Sequence, residues 1–348
     1  MSSKLFALDI GTRSVVGIIL EEQDDHFHVV DMVEKEHKER AMVDGQIHNV
    51  LYVAELITDI KKELEQKHGP LTKVNVAAAG RALKTEQANV TIDIKNRPIF
   101  TQEDINRFEL QAVQQAQAQL LQKNDNDDTN HYYCVGYSVL YYKLDGEEIG
   151  SLLDQQGNEA TVEVIATFLP RVVIESLLAA LKRAELKMEA LTLEPIAAIN
   201  VLIPPTMRRL NVALVDIGAG TSDIAITDNS TIVAYGMVPT AGDEITESLS
   251  DQYLLDFPVA ESVKRKLSTD DTITIQDILG FEQEIPKEEV IQKIEPAIKQ
   301  LANAIGNEIL RLNNQLAPKA VMLIGGGSLT PNLPEELCKI LDLPQNRV

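Results

Sequence analysis

The sequence predicts an α/β fold built from two similar halves, and three observations lead to this prediction. Residues 7–14 and residues 214–223 each contain an apolar strand, the tripeptide Asp-Ile-Gly, a turn rich in small residues, and a second β-rich strand. Predicted strands alternate with amphipathic helices along most of the chain. A short apolar strand at residues 321–324 runs directly into consecutive glycines. A segment repeated so far apart in the chain indicates two similar halves, and it is unlike the short period of a solenoid.

The first part of the chain predicts a sheet with one covering helix, followed by an inserted small domain. The predicted strands are residues 4–8, 15–20, 26–33 and 74–79, and the predicted helix is residues 53–66, which stops before Gly69-Pro70. From residue 73 to about residue 168 the pattern is strand, helix, strand, strand, at residues 87–94, 101–123, 132–142 and 160–167. In this insert Thr101 is the predicted N-cap of the helix, with Asp104 three residues later.

The remainder of the chain repeats the alternation of strands and helices. Helices are predicted at residues 172–183, 194–202, 240–266 in pieces, 286–313 and 332–341. Strands are predicted at residues 191–193, 211–215, 223–227 and 321–324, with a small β unit turning at Gly280 within residues 270–284.

Composition limits the classes of function. The chain has 348 residues, enough for two or three domains, and its net charge of −21 disfavours binding to duplex nucleic acid or to an anionic membrane surface. Two cysteines give neither a disulfide framework nor paired zinc ligands, and no leader or membrane span is visible, so we expect a cytoplasmic protein. A nucleotide stays compatible with this acidity, because backbone N–H groups and a metal ion can hold phosphates.

The two repeated turns have the chemistry of a phosphate clamp. Small residues let the backbone approach phosphate oxygens, turn N–H groups bind anions, and an Asp at a strand end can orient water around Mg²⁺. The candidate residues are Asp9, Gly11, Thr12 and Arg13 in the first turn and Asp216, Gly218, Gly220 and Thr221 in the second. The alternative interpretation is a pair of ordinary tight hairpins with an Asp-stabilised turn. There is no P-loop motif, and the dinucleotide fingerprint is incomplete.

The third glycine-rich turn completes an ordered set of motifs. Gly325, Gly326, Gly327 and Ser328 follow a buried-type strand, where glycines permit close approach of a base or ribose or simply make a strand-to-helix turn. In this order the three turns resemble the phosphate-1, phosphate-2 and adenosine motifs of the actin-like ATPase superfamily, over essentially the whole chain. The resemblance implies two ribonuclease-H-like halves that hold ATP and Mg²⁺ between them, with Asp9 and Asp216 organising the metal through water.

Two further segments match motifs of that superfamily. Residues 193–198 are similar to its connecting motif, which implies that Glu194 lies near the attacking water; Glu194 and Asp216 are therefore the candidate catalytic residues. The alternative for Glu194 is a helix-start residue favoured by the helix dipole. Residues 260–268 resemble the chaperone-type adenosine-contact helix, which implies that Glu261 and Lys264 reach the ribose or adenine; the alternative is a solvated charged helix.

The insert indicates the branch of the superfamily. It resembles the 1C subdomain of FtsA, a layout that the pilus protein PilM shares, and residues 41–47, 76–80 and 101–105 resemble adjoining segments. The implied organisation is a first-half core, the insert, a second-half core and a small subdomain. Their predicted limits are residues 1–72 with 168–195, residues 73–167, residues 196–240 with 290–348, and residues 241–289.

The resemblance to this branch implies a cytoskeletal role. We expect an ATP- and Mg²⁺-binding protein that self-associates and binds a division-ring or inner-membrane assembly protein, with slow or no ATP hydrolysis. The alternatives are a PilM-like pilus-assembly scaffold and an actin-fold metabolite kinase, although the insert offers no obvious general-base Asp for a kinase. No basic amphipathic stretch is visible in the last residues, so we expect contact with the inner face of the membrane through a partner or a missing C-terminal segment.

Overall fold

The computed structural model describes residues 4–24, 26–37, 41–43, 45–78, 83–95, 100–123, 132–204 and 206–348. The chain begins with β1 (Lys4–Ile10), β2 (Ser14–Gln23), β3 (His26–Glu36), β4 (Met42–Val43), β5 (Gln46–Ile47), α1 (Val50–His68) and β6 (Lys73–Ala78). It continues with β7 (Lys84–Asp93), α2 (Gln102–Lys123), β8 (Tyr132–Leu144), β9 (Glu147–Ile149), β10 (Glu159–Pro170), α3 (Arg171–Arg183), β11 (Lys187–Leu193) and α4 (Glu194–Leu202).

The second part has the same kinds of elements. Its strands and helices are β12 (Val212–Ile217), β13 (Ser222–Asp228), β14 (Thr231–Val238), α5 (Gly242–Tyr253), α6 (Phe257–Lys266), β15 (Thr272–Gln276), β16 (Glu282–Pro286), α7 (Lys287–Leu312), β17 (Ala320–Ile324) and α8 (Leu333–Leu341). Among the described residues, no helix is long and apolar enough to cross a bilayer.

The first sheet has the strand order β11-β6-β1-β2-β3. Strands β1 and β2 form an antiparallel hairpin, while β6 runs parallel to both β1 and β11. Helix α1 covers one face, because Ile57, Ile60 and Leu64 recur at helical spacing and are fully buried. The parallel strands β1, β6 and β11 end at the same edge of the sheet. Asp9, near the end of β1, and Glu194, just after β11, therefore lie close together.

The second sheet repeats this arrangement, with the order β14-β13-β12-β17. Strands β12 and β13 form the matching antiparallel hairpin, and β17 runs parallel to β12 as β6 does to β1. Helices α5 and α7 contribute to the large apolar cluster on one face of this sheet, and α4 packs against the other face. The predicted α/β fold with two similar halves is confirmed.

The insert forms a separate four-stranded sheet, ordered β7-β10-β8-β9, with α2 packed on it. The predicted cap of α2 is present: the Asp104 carboxylate accepts from the Thr101 backbone N–H at 3.0 Å, and the Thr101 hydroxyl oxygen accepts from the Asp104 N–H at 3.3 Å. The insert also contacts the second half, where the Thr231 hydroxyl of β14 donates to the carbonyl of Val139 in β8 at 2.8 Å. The insert therefore touches both halves of the molecule.

Some elements differ from the sequence prediction. Strand β14 was not predicted, although its apolar run is as strong as that of β13, and the short strands β4, β5 and β9 carry too few residues to give a periodic signal. Most predicted strands are longer in the structure, because pairing extends the ladder into polar residues such as Lys84 and Glu159. Parts of the segments resembling FtsA, namely Asp44 and residues 79–80, lie outside the described residues.

A buried carboxylate joins α2 to the insert's sheet and gives a stability prediction. Glu109 accepts a hydrogen bond from the Tyr137 hydroxyl at 2.8 Å and another from Tyr142. We expect Glu109→Ala to lower the free energy of unfolding by about 2–4 kcal/mol, because two phenol groups lose their acceptor. Glu103→Ala on the exposed face of the same helix should change it by less than about 0.5 kcal/mol. Equal denaturation midpoints for the two variants would contradict the prediction.

Candidate functional site

The three glycine-rich turns converge at the edges of the two half sheets. Residue Gly325 has a φ of +79°, and a Cβ built on it would lie 2.4 Å from Asp216 Oδ1 and 2.5 Å from the Ile217 carbonyl oxygen. A Cβ on Gly327 would lie 2.4 Å from Ile217 Cγ2. These distances leave no room for a side chain, so glycine is required for the third turn to sit against the second. Ser328 closes the third turn by donating to the Gly325 carbonyl.

The first turn is held by hydrogen bonds from its neighbours. The Gly11 N–H donates to the Ser14 carbonyl at 3.0 Å, which closes the turn between β1 and β2. The ring nitrogen Nε2 of His37 lies 3.2 Å from the Gly11 carbonyl oxygen, and burial lowers the pKa of this imidazole, so the neutral ring donates there. The Thr12 hydroxyl oxygen accepts from the Gly45 N–H at 3.0 Å. The turn is therefore fixed in place from outside the hairpin.

The second turn is tied to the start of α5. The Gly218 N–H donates to the Thr221 carbonyl at 2.9 Å, as in the first turn. The N–H groups of Gly242 and Asp243 donate to the carbonyls of Gly218 and Ala219, at 3.1 and 2.8 Å. The first turn of α5 thus moves with the second glycine-rich turn. Gly220, inside this turn, is buried.

A cluster of four carboxyl groups lies between the turns: Asp9, Glu194, Asp216 and Asp223. Glu194 lies at the start of α4, and its Oε1 atom is buried without a hydrogen-bond partner. Burial raises the pKa of Glu194 well above its usual range, and the negative charges of the other three carboxylates raise it further. The Thr221 hydroxyl donates to Asp223 at 3.3 Å, which holds this second buried carboxylate in the strand after the turn.

The two aspartates that the sequence indicates as metal ligands share this environment. Desolvation raises the pKa of Asp9, and the neighbouring Glu194 carboxyl partly offsets this effect. Burial, with the nearby charge of Asp9, raises the pKa of Asp216 to about 6. Desolvation is the main reason that each group keeps its proton to higher pH, and for Asp216 the negative charge of Asp9 adds to it. A cation placed between them would relieve this repulsion.

The cluster fits a hydrated magnesium ion better than a fully protein-bound metal. No group of three or more His, Cys, Asp or Glu side chains within the described residues has the geometry of a direct metal site. Mg²⁺ commonly keeps several waters and binds through one or two carboxylates together with phosphate oxygens. The unpartnered oxygen of Glu194 and the raised pKa of Asp216 both fit a positive charge or a bound water at this place.

The side chains of α6 have protein partners. Lys264 Nζ donates to the Gly242 carbonyl at 2.9 Å and the Thr246 hydroxyl at 2.8 Å, and it pairs with Glu261 at 2.7 Å. These contacts use all three donors of an ammonium group. Arg13 leaves the first turn and pairs with Asp243 across the cleft at 2.7 Å. The nucleoside and phosphate contacts expected of Glu261, Lys264 and Arg13 stay predictions.

Two residues of this region were not among the sequence candidates. Asp223 lies inside the second motif, and a lone carboxylate in an apolar strand is the signal that could have found it. Asp243 carries no comparable signal, because it stands in an ordinary acidic helix start and meets Arg13 only through the tertiary fold.

Comparisons with known proteins find relatives over nearly the whole chain. The family model for the cell division protein FtsA matches residues 213–348. FtsA of Bacillus subtilis strain 168 is 24% identical, with 98% of this chain and 77% of that protein covered. FtsA of Neisseria meningitidis serogroup B is 26% identical, with 97% and 81% covered. By these matches the chain is similar to FtsA, and its fold is that of an actin-like ATPase.

Two solved structures of other proteins have the same fold as this chain. A PilM–PilN type IV pilus biogenesis complex contains a chain that superposes with a TM-score of 0.67 at 16% identity, covering 99% of this chain and 87% of that one. MreB5 of Spiroplasma citri bound to ADP superposes with a TM-score of 0.53 at 15% identity, covering 98% and 90%. At these identities the likeness concerns the fold alone.

Proposed function

We propose that this protein binds ATP with Mg²⁺ in the cleft between its two halves. The buried, unpartnered carboxylate oxygen of Glu194, surrounded by three further carboxylates between two matching turns, is the observation that carries the proposal. In open α/β sheets, ligands bind outside the carboxyl ends of parallel strands, where these groups lie. The MreB5 structures with ADP and with AMPPNP support nucleotide binding on this fold.

The roles proposed for individual residues follow their positions. Asp9 and Asp216 hold Mg²⁺ through water, and Glu194 orients water near the terminal phosphate. Magnesium, when bound, supplies positive charge to the phosphate oxygens. Phosphates are held by Gly11, Thr12, Arg13, Gly218, Gly220 and Thr221, and the nucleoside by Glu261, Lys264, Gly325, Gly326, Gly327 and Ser328. We further propose that the residue limits predicted above divide the two half cores, the insert and the small subdomain.

The proposed role is that of a self-associating scaffold in bacterial cell division, with slow or no ATP hydrolysis. The support is three curated relatives named cell division protein FtsA, which match 94–98% of the chain. We propose that the protein acts in the cytoplasm and reaches the inner face of the membrane through a partner or a segment outside this chain.

Thermal unfolding tests nucleotide binding. With MgATP at a hundredfold excess over its dissociation constant, we expect a stabilisation of about 2.7 kcal/mol, which raises Tm by roughly 4 °C for a chain of this size. The increase should disappear when EDTA removes magnesium. It should also disappear in Thr221→Val, which keeps the side-chain volume but removes the hydroxyl beside Asp223. An unchanged Tm for the folded wild-type protein over millimolar MgATP would overturn the proposal.

A PilM-like role in pilus assembly is the second candidate. The superposition on the PilM–PilN complex, at a TM-score of 0.67, favours it. Affinity capture with the full chain distinguishes the two roles. The chain is immobilised, and a purified division-ring protein competes for it with the purified cytoplasmic peptide of an inner-membrane pilus protein. Retention of the division protein alone supports the first role, and retention of the pilus peptide alone supports the second.

A further inference from the structure

One side chain of the first turn crosses the cleft. The guanidinium of Arg13 donates to Asp243 at 2.7 Å and to Glu261 at 3.3 Å, and it lies 5.3 Å from the centre of the Phe257 ring. Arg13 belongs to the first half, whereas the other three residues lie in α5 and α6 of the second half. A cation held between two carboxylates and over an aromatic face has a well-defined position.

A second pair crosses the same cleft one turn further along α6. Arg265 donates to Glu36 of β3 at 2.8 Å and to Glu261 at 3.0 Å. Glu36 belongs to the first half. Arg265 therefore extends from the second half to the first, whereas Arg13 extends from the first half to the second. Glu261 therefore accepts from both arginines and joins the two crossing contacts.

Glu261 is firmly kept in its charged form. Burial by itself raises its pKa, but the charge of Lys264 and the hydrogen bonds from Lys264 and Thr246 outweigh this effect and hold the pKa at about 2. The side chain has 11% of its surface exposed. Three cations and three anions thus balance across this part of the cleft, in a protein whose net charge is −21.

The position of Asp243 makes these contacts relevant to the three turns. The Asp243 N–H is hydrogen-bonded to Ala219 in the second turn, so the Arg13–Asp243 pair links the first turn to the second through one residue. Any movement that separates the two turns must break this pair. The side chains of Arg13 and Asp243 are only partly exposed. Breaking their ion pair therefore costs free energy, because water does not fully solvate the two separated charges.

We propose that Arg13, Glu36, Asp243, Glu261, Lys264 and Arg265 form an ionic clamp that sets how far the two halves open. The clamp goes beyond the proposed nucleotide site, because it holds the halves together by contacts between protein side chains. Arg13 and Arg265 are the two cations that cross the cleft, and Glu261 with Lys264 anchors them in α6. Where the proposed function also holds, the clamp controls the rate at which nucleotide leaves.

Distances between the halves test the clamp without any nucleotide. Spin labels at Glu22→Cys and Asp270→Cys, in a Cys134→Ser background, report the separation of the first half from the small subdomain. We expect Arg13→Gln and Asp243→Asn each to lengthen and broaden the distance distribution. The double variant should be no wider than the broader single variant, because both changes break one pair. Raising salt from 50 to 500 mM should broaden the wild-type distribution and affect the double variant less.

The control is Arg107→Gln, which removes an exposed ion pair with Glu103 far from the cleft. It should leave the distances unchanged. Circular dichroism confirms that each variant is folded, and a variant that fails to fold is replaced by Arg265→Gln, which breaks the second crossing pair. Unchanged distances in folded Arg13→Gln and Arg265→Gln would overturn the clamp. So would broadening in Arg13→Gln without any in Asp243→Asn or in Glu261→Gln, because neither carboxylate partner of Arg13 would then hold the two halves together.

The rate of nucleotide release gives a second measurement, and its outcome distinguishes failure of the clamp from failure of the proposed nucleotide site. If the protein binds a fluorescent ADP analogue, its release should be about tenfold faster in Arg13→Gln and in Asp243→Asn than in the wild type. Unchanged release in both would overturn control of nucleotide exit by the clamp. Absence of binding in the wild type would overturn the proposed nucleotide site instead, while the distances measured without nucleotide still decide the clamp.

Discussion

Gly325→Ala is expected to destabilise the protein by roughly 3–5 kcal/mol, whereas Gly326→Ala, one residue later, should be nearly neutral. At Gly325 a Cβ would lie 2.5 Å from a backbone carbonyl that cannot move without distorting β12, and the positive φ adds about 1–2 kcal/mol. At Gly326 a Cβ would meet no heavy atom within 4 Å. The two variants change the same turn by the same methyl group, so they differ only in the local space and in the backbone conformation.

Chemical denaturation measures both variants. The midpoint of Gly325→Ala should fall well below that of the wild type with an unchanged m-value, and MgATP should no longer raise Tm, because the third turn is pushed away from Asp216. A midpoint for Gly325→Ala within error of Gly326→Ala would contradict the close packing of the third turn on the second.

Asp216→Asn is expected to stabilise the protein at pH 8 while abolishing its response to MgATP. Burial and the charge of Asp9 raise the pKa of Asp216 to about 6, against about 3.9 in the unfolded chain. Between these values the folded protein binds more protons than the unfolded chain, so stability falls as pH rises through this range. Above pH 7 the ionised carboxylate costs about 1–3 kcal/mol, and the neutral amide avoids this cost.

The sign of this effect depends on pH. At pH 4 the folded group is protonated and the unfolded group about half protonated, so Asp216→Asn should lie within about 0.5 kcal/mol of the wild type in stability. The gain in the free energy of unfolding should grow between pH 4 and pH 7 and then level off. Asp31→Asn is the opposite control, since His68 and Lys67 lower the pKa of that carboxyl to about 2 and its loss should not stabilise the protein. A flat pH profile for Asp216→Asn would contradict the carboxyl cluster.

The fold could be predicted from the sequence because its main signals are local. The repeated Asp-Ile-Gly turns, the helical spacing of residues such as Ile57 and Ile60, and the capping pair Thr101 and Asp104 each act within a few residues. Strand β14 carries an ordinary apolar strand pattern, so its signal is also local. The shortest strands exist only because a partner strand pairs with them.

The candidate site was predictable in part. The turns and their aspartates could be found because their residue types and order are unusual. The partners of Arg13 could not, because Asp243 and Glu261 lie 230 and 248 residues away in the chain, and no local pattern connects them. The unpartnered oxygen of Glu194 is likewise a property of the packed cleft, which depends on where β1, β12 and β13 place three other carboxylates.

The contact between β8 and β14 means that the insert also restrains any rotation of one half relative to the other. Thr231 donates to Val139, and the buried ring of Tyr235 shares an apolar cluster with Ile165 of the insert. A rotation of the second half must therefore carry the insert with it or shear that hydrogen bond and cluster. The insert continues from the first half and contacts the second, so a protein bound to its outer surface would restrain opening of the cleft without touching the cleft itself.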